Sequence, residues 1–246
     1  MSVALTIAGT DSSGGAGVAA DLRVFETHGV TGAMAVTAVT AQNTLGVQAV
    51  ELVTPELVRA QVASVASDSG VDAAKTGMLA SAEIVEAVAD AARDFGLRPL
   101  VIDPVMVATS GARLMDAAAV DVLKALLVPL ATVVTPNLAE AAALVGWPVD
   151  DRMSMEKAAL ALAELGPEVV LVTGGHLGGE ESPDCLVVAG EPAQWLGAPR
   201  VAGGHTVRGT GCMLSAAICA QLALGLAPVE ACASAKTFVT RQLPQR

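Results

Sequence analysis

Two kinds of segment alternate along this chain. In one, nearly every position is apolar over a few residues; in the other, apolar residues recur every third or fourth position over a longer stretch. The first kind, bounded by Gly, Pro, Asp or Asn, predicts buried strands: "VALTIAG", "GAMAVTAVT", "DAAKTG", "PLVIDPV", "ATVVTPN" and "EVVLVTGG". The second predicts amphipathic helices that start at Thr, Ser, Asp or Asn: "TPELVRAQVASVASD", "SAEIVEAVADAARDFG", "DAAAVDVLKALL", "NLAEAAALVG" and "SMEKAALALAELG". The run from Asp184 to Trp195 predicts a β-hairpin turning at Gly190, and two further helices, "GCMLSAAICAQLALG" and "APVEACASAKTFVTRQL", close the chain. Strand followed by helix, repeated, implies an α/β fold with a mostly parallel sheet between two layers of helices. No repeat, low-complexity tract or linker interrupts the pattern, so residues 1–246 are read as one domain.

Composition narrows the classes of function. With 53% hydrophobic and 16% charged residues, a 246-residue chain can fill a large core. Aromatic residues make up only 2% and Tyr is absent, so the core must be built from Ala, Val and Leu, and the stacking platforms of single-strand nucleic-acid binding are missing. A formal charge of −11 argues further against a nucleic-acid partner. An anionic ligand must therefore be captured by local backbone dipoles, a few cations or a metal. The N-terminus lacks the basic region and long apolar stretch of a signal peptide, and no uncharged apolar segment is long enough to span a membrane. Cys185, Cys212, Cys219 and Cys232 form no C-x-x-C pair and no ligand pattern with the three histidines, so reduced thiols in the cytoplasm are the expectation.

In open parallel sheets ligands bind beyond the carboxyl ends of the strands. Polar or Gly-rich clusters fall repeatedly at those ends: "GTDSSGGAG", "TAQNT", "KTGM", "DPVM", "TPNLAE" and "TGGHLGG". The first fits neither G-x-G-x-x-G nor the Walker pattern, and it reads equally well as a tight βα connection or a ligand loop. Gln42 and Asn43 follow a strand, where an amide can donate to and accept from a heteroaromatic ring, or simply cap backbone groups. Met78, Val105 and Met106 are expected at the same rim. Asn137 and Glu140 stand three apart at a helix start. With Asp103 they form a possible Mg²⁺ set, but Asn137 as N-cap with Glu140 as its capping-box partner is the stronger reading of the residues alone. The most specific signal is Gly209-Thr210-Gly211 opening a helix at Cys212, an anion site suited to a transferring phosphoryl group. Cys219, on the same helical face, is read as core.

Taken in order, "AGTDSSGGAGVAADL", "VTAQNTLGV", "AAKTGML", "VIDPVMVATSG", "LATVVTPNLAEA", "GGHL" and "GTGCMLSAAI" resemble the hydroxymethylpyrimidine/phosphomethylpyrimidine kinases of thiamine synthesis, within the ribokinase-like superfamily. The resemblance extends from about Ala8 to near Val239. It implies a ribokinase-like three-layer α/β/α fold and two ATP-dependent steps, on the hydroxymethyl group and then on the resulting monophosphate. It places Gln42 on the pyrimidine with Gly9, Asp21, Met78 and Val105 around the ring, and Gly209 to Cys212 as anion hole and base. It also puts the metal positions on Asp103, Asn137 and Glu140, and places Gly174, Gly175, Thr210 and Lys236 near ATP. Relatives suggest a homodimer. Because a helix N-terminus can bring a thiol's pKa to roughly 3.5–7.5, Cys212 is expected to be a thiolate that takes the alcohol's proton. Two positions depart from the family. Thr173 stands where a lysine is common, and Arg208 precedes the anion hole, where it is expected to restore some of the missing charge. Two other readings stay open: a pyridoxal or pyridoxine kinase on the same scaffold, and a vitamer-binding homologue with weakened catalysis.

Overall fold

The computed structural model describes residues 1–108, 111–201 and 209–243. Its central sheet runs from edge to edge as β10 (Gln194–Leu196), β9 (Asp184–Val188), β8 (Val169–Val172), β7 (Val133–Val134), β6 (Leu100–Ile102), β5 (Ala73–Thr76), β1 (Val3–Ala8) and β2 (Thr31–Val36). From β2 across to β8 every neighbouring pair is parallel, while β9 and β10 form the antiparallel hairpin anticipated around Gly190.

Side chains on a strand alternate between its two faces, and this alternation divides the core. Leu5, Ile7, Leu100, Ile102, Val170 and Val172 meet one layer of helices: α2 (Pro55–Asp68), α3 (Ala82–Asp94), α4 (Ala117–Val122), α5 (Leu138–Val145) and α6 (Arg152–Ala163). Ala4, Val101, Val133 and Leu171 meet the other, formed by α1 (Gly17–Thr27), α7 (Thr210–Ala223) and α8 (Pro228–Gln242). The result is the expected three-layer α/β/α arrangement. Helix α7 packs against α8, α1 and β5, and its Ala216, Ala217 and Ala220 are fully buried. Small residues there let backbones approach closely, which is how a core almost without aromatics reaches a dense packing. Cys219 lies within it, as expected.

Local chemistry sets the helix starts. Thr54, Ser81, Asp116 and Asn137 each accept a backbone N–H three residues on, as N-caps. Helix α6 begins earlier than its apolar period suggests. Asp151 is the cap, and Ser154, read above as the start, is its capping-box partner. Beyond α4 the chain continues through a π turn (Leu123–Leu127) and a 3-10 turn (Val128–Leu130).

The segment "GAMAVTAVT", expected as one strand, is two. Thr37 marks the break: its N–H donates to Ala8 O at 3.0 Å and its hydroxyl to Met78 O at 2.6 Å. Past Thr37 the chain leaves the main sheet as β3 (Ala38–Asn43), which pairs antiparallel with β4 (Gly46–Leu52) in a separate ribbon. Strand β4 has no run of apolar residues to announce it; most of it is exposed. No helix among the described residues is long and apolar enough to cross a membrane.

Candidate active site

Beyond the carboxyl ends of β1, β5, β6, β7 and β8 lies a cavity of about 270 Å³, near the lower end of the range for small-molecule sites. It is lined by Gly9, Gln42, Met78, Val105, Asp103, Asn137, Glu140, Gly175, Lys236 and the turn from Gly209 to Cys212. Asp21 and Gly174 stand behind this lining. Asn43 turns its side chain to its own loop, where Oδ1 accepts from Leu45 N at 2.9 Å, and Met106 packs into the core. Arg208 lies outside the described residues.

Two glycine-rich turns make the floor. Gly209, the residue before α7, has φ +74°, and a Cβ there would sit 2.3 Å from Gly15 O. Gly17, with φ +63°, is equally confined: its Cβ would lie 2.3 Å from Gly9 O. Each position thus excludes a side chain twice over, by backbone conformation and by contact. A Cβ at Gly211 would meet nothing, so that residue borders open space. Among the described residues no side chain caps α7, and the amides of its first turn, Thr210 to Cys212, face the kind of position that suits an anion.

A buried charge cluster lies beneath Cys212. Lys75 is inaccessible to solvent, and its ammonium donates to Asp21 Oδ2 at 2.9 Å and stands 3.8 Å from Asp103 Oδ2. Asp21 also accepts the Thr6 hydroxyl at 2.6 Å, and Asp103 accepts the Ser215 hydroxyl at 2.9 Å. Asp21 therefore does not line the cavity itself but holds Lys75, which does. Burial opposes the lysine's charge, but the carboxylates of Asp21 and Asp103 and the hydrogen bond to Asp21 outweigh it and hold the ammonium above the ordinary range. The thiol behaves differently from expectation. Burial pushes Cys212 up to about 12, with Asp103 and Asp21 adding to the rise, against the pull of Lys75 and the Gly17 N–H. The partial charge of a helix terminus is smaller than two nearby carboxylates and the loss of water, so in the ligand-free protein the thiol is protonated.

At the other end the "GTDSSGGAG" loop is laced to β3. Thr10 N donates to Ala38 O at 2.9 Å, and Gln42 N donates to Ser12 Oγ at 2.8 Å. A bulge between Ala41 and Gln42 shifts the register of the ribbon, the device by which a strand re-aims one side chain. Gln42 reaches the cavity where Gly9 and Met78 touch: a Cβ on Gly9 would be 3.2 Å from the Met78 sulfur.

The match that decides the family covers almost the whole chain. Residues 11–246 fit the model of the phosphomethylpyrimidine kinase family. The chain belongs to that family. A hydroxymethylpyrimidine/phosphomethylpyrimidine kinase of Rhizobium meliloti is 50% identical over 238 residues, 96% of this chain and 88% of the relative. Among solved structures, the phosphomethylpyrimidine kinase of Clostridium difficile superposes with a TM-score of 0.86 at 37% identity, covering 99% of this chain and all of that one. The Staphylococcus aureus pyridoxal kinase, in complex with AMP-PCP and pyridoxal, superposes with a TM-score of 0.89 at 33% identity, covering 99% of this chain and 88% of that one.

The kinase holds its opposite wall with residues the motifs do not single out. Asp184, nearly inaccessible, accepts Gly174 N at 2.9 Å through one oxygen and holds Lys236 Nζ at 2.7 Å with the other. Lys236 also donates to Ser182 O at 2.9 Å. A Cβ on Gly174 would collide with Pro183 O at 1.9 Å, so this glycine serves the loop's closure. No motif singles out Lys75, Ser215 or Asp184, because each stands within or beside an apolar run. The one available signal was the charge itself, a lysine in "DAAKTG" and an aspartate opening "DCLVV".

Asn137 and Glu140 form the capping box: Asn137 N donates to Glu140 Oε2 at 2.9 Å, and Glu140 N to Asn137 Oδ1 at 3.0 Å. Burial, then repulsion from Asp103, pushes Glu140 up to about 8, and burial raises Asp103 as well. A carboxyl raised in the folded state binds its proton more tightly there than in the unfolded chain. Its contribution to stability is greatest below the unfolded value of about 4.3 and is lost as pH rises through about 8. Glu140→Gln removes that titration. In the kinase free of nucleotide and divalent cation, the melting temperature of the variant relative to the parent is expected to rise between pH 5 and pH 8, as read by calorimetry at each pH. A difference that does not change with pH would show Glu140 to titrate normally.

Proposed function

We propose that the chain transfers the terminal phosphoryl group of ATP to the hydroxymethyl group of 4-amino-5-hydroxymethyl-2-methylpyrimidine, and then phosphorylates the monophosphate to the diphosphate. The observation that carries this reading is one cavity lined both by Gln42, Met78 and Val105 and by the uncapped turn Gly209–Cys212. The flat apolar contacts and the amide suit an aminopyrimidine, and the turn suits the charge of a phosphoryl group in flight. Gly175, Thr210 and Lys236 are assigned to the nucleotide, as is Arg208 from its place in sequence.

Asp103 and Glu140 share the cavity with both carboxyls raised, two acids that a bound cation would draw into their ionised forms. Among the described residues no group of three or more His, Cys, Asp or Glu could hold a metal ion by itself, so Mg²⁺ would need phosphate oxygens among its ligands. Asp103 and Glu140 would hold it, with Asn137 kept to its capping role, and when bound Mg²⁺ neutralises charge on the transferred group. Within the protein, Lys75 and the Gly17 amide favour the thiolate of Cys212, while Asp103 opposes it. Burial is the larger obstacle to that thiolate and Asp21 adds to it, so offsetting the charge of Asp103 eases the ionisation of Cys212 without being its sole condition.

The pyridoxal kinase reading is favoured by one observation, the close superposition on the Staphylococcus aureus enzyme. An assay of ATP consumption with Mg²⁺ separates the two. Turnover is expected with the pyrimidine alcohol and with its monophosphate, and slower turnover with pyridoxal. Turnover of pyridoxal alone would reverse the assignment, and no turnover of any ring would leave a binding protein. The proposal includes a cytoplasmic homodimer. In its support, the β3–β4 ribbon leaves Val50 and Leu52, two apart on one face, exposed as apolar surface for a second copy to cover.

A further inference from the structure

The loop after β8 closes around a single side chain. Arg200 Nε donates to Gly179 O at 2.8 Å, Nη1 to Gly175 O at 2.7 Å, and Nη2 to Glu181 O at 2.9 Å and to Leu177 O. Four carbonyls of residues 175–181 are thus gathered on one planar fork. Only arginine has the donors to do this; a lysine has three on one rotating nitrogen.

The same side chain differs from the other cations of the cavity in its electrostatics. Lys75 is neutralised by Asp21 and Asp103, and Lys236 by Asp184. Arg200 lines the cavity too, and among the described residues no carboxylate stands within ion-pair distance of it. Carbonyl oxygens solvate a guanidinium without cancelling its charge. This matters in a chain of formal charge −11, where the two lysines lining the cavity are already matched by Asp21, Asp103 and Asp184. A polyanion entering there is favoured by the cation that is left uncompensated. Thr173, next to this loop, supplies none.

We propose that Arg200 sets the kinase's preference for a nucleoside triphosphate, by pinning the 175–181 loop and lending the cavity a positive charge that no carboxylate cancels. The inference rests on the kinase reading above and adds a specificity-determining residue to it. A residue that only fixes the loop would serve every adenine nucleotide alike, whereas an uncompensated charge favours the ligand with more phosphates. The test is the ratio of ATP to AMP affinity, measured by titration calorimetry with Mg²⁺ on the full chain. Arg200→Gln keeps some hydrogen bonding but no charge, and is expected to narrow that ratio by about tenfold, the effect of losing one charge-assisted contact. Arg200→Lys retains the charge and is expected to keep the ratio while weakening both nucleotides. Equal losses of ATP and AMP in Arg200→Gln, with the parent still turning over ATP, would overturn this inference alone. Arg200→Met repeats the comparison if the glutamine variant does not fold. A parent chain that neither binds nor consumes ATP would overturn the kinase reading and this inference with it.

Discussion

Cys212→Ala is expected to slow phosphorylation of the pyrimidine alcohol by about 10²–10⁴-fold, the usual contribution of a positioned general base, and to slow that of the monophosphate far less. The alcohol must lose a proton as the new O–P bond forms, and Cys212 lines the cavity at the first turn of α7. The monophosphate brings an oxygen already ionised, its second pKa being about 6. Single-turnover rates with each acceptor measure the contrast, and equal losses would show that the cysteine shapes the turn without moving a proton. The state of the thiol gives an independent check. Burial and two carboxylates push it up to about 12 in the ligand-free protein. Its alkylation by iodoacetamide should therefore keep accelerating with pH throughout the neutral range, and a plateau near pH 7 would show a thiolate formed in advance.

Lys75→Met is expected to cost about 3–5 kcal/mol of stability, the usual penalty for stripping one partner from a buried ion pair. Asp21 is fully inaccessible and would keep only the Thr6 hydroxyl, while Asp103 would lose its nearest cation. For a chain of this size the loss corresponds to a fall in melting temperature on the order of 10 °C. Because the penalty belongs to the orphaned carboxylate, Asp21→Asn in the same chain should recover much of it. Additive losses in the double variant would show that the two side chains do not act as a pair. Activity is expected to stay low even in the recovered double variant, since Lys75 is the cation favouring ionisation of Cys212.

Several parts of the site are visible in short motifs because their chemistry is local. The turn before α7 needs glycine where φ is positive and no Cβ fits, and "GTG" declares that directly. The capping box of α5 spans four residues and is legible as N-x-x-E. Gln42 is legible as a polar residue after a strand; its aim into the cavity depends on a bulge that nothing in "TAQNT" announces. The thiol shows the opposite case. Its place at a helix start suggests ionisation, but neighbours far off in sequence reverse the sign.

Most strands and helices, and with them the three-layer arrangement, follow from residues alone, since period and cap depend on neighbours a few positions away; the break at Thr37, strand β4 and the Asp151 cap of α6 came only with the structure. The long ordered motifs likewise suffice for the family. The charge balance does not follow, because it arises between residues distant in sequence: Lys75 with Asp21 at a separation of 54, Ser215 with Asp103 at 112, and the Arg200 fork with Gly175 at 25. Coulomb energies depend on distance and on exclusion of water, and both are established only when the layers close over one another.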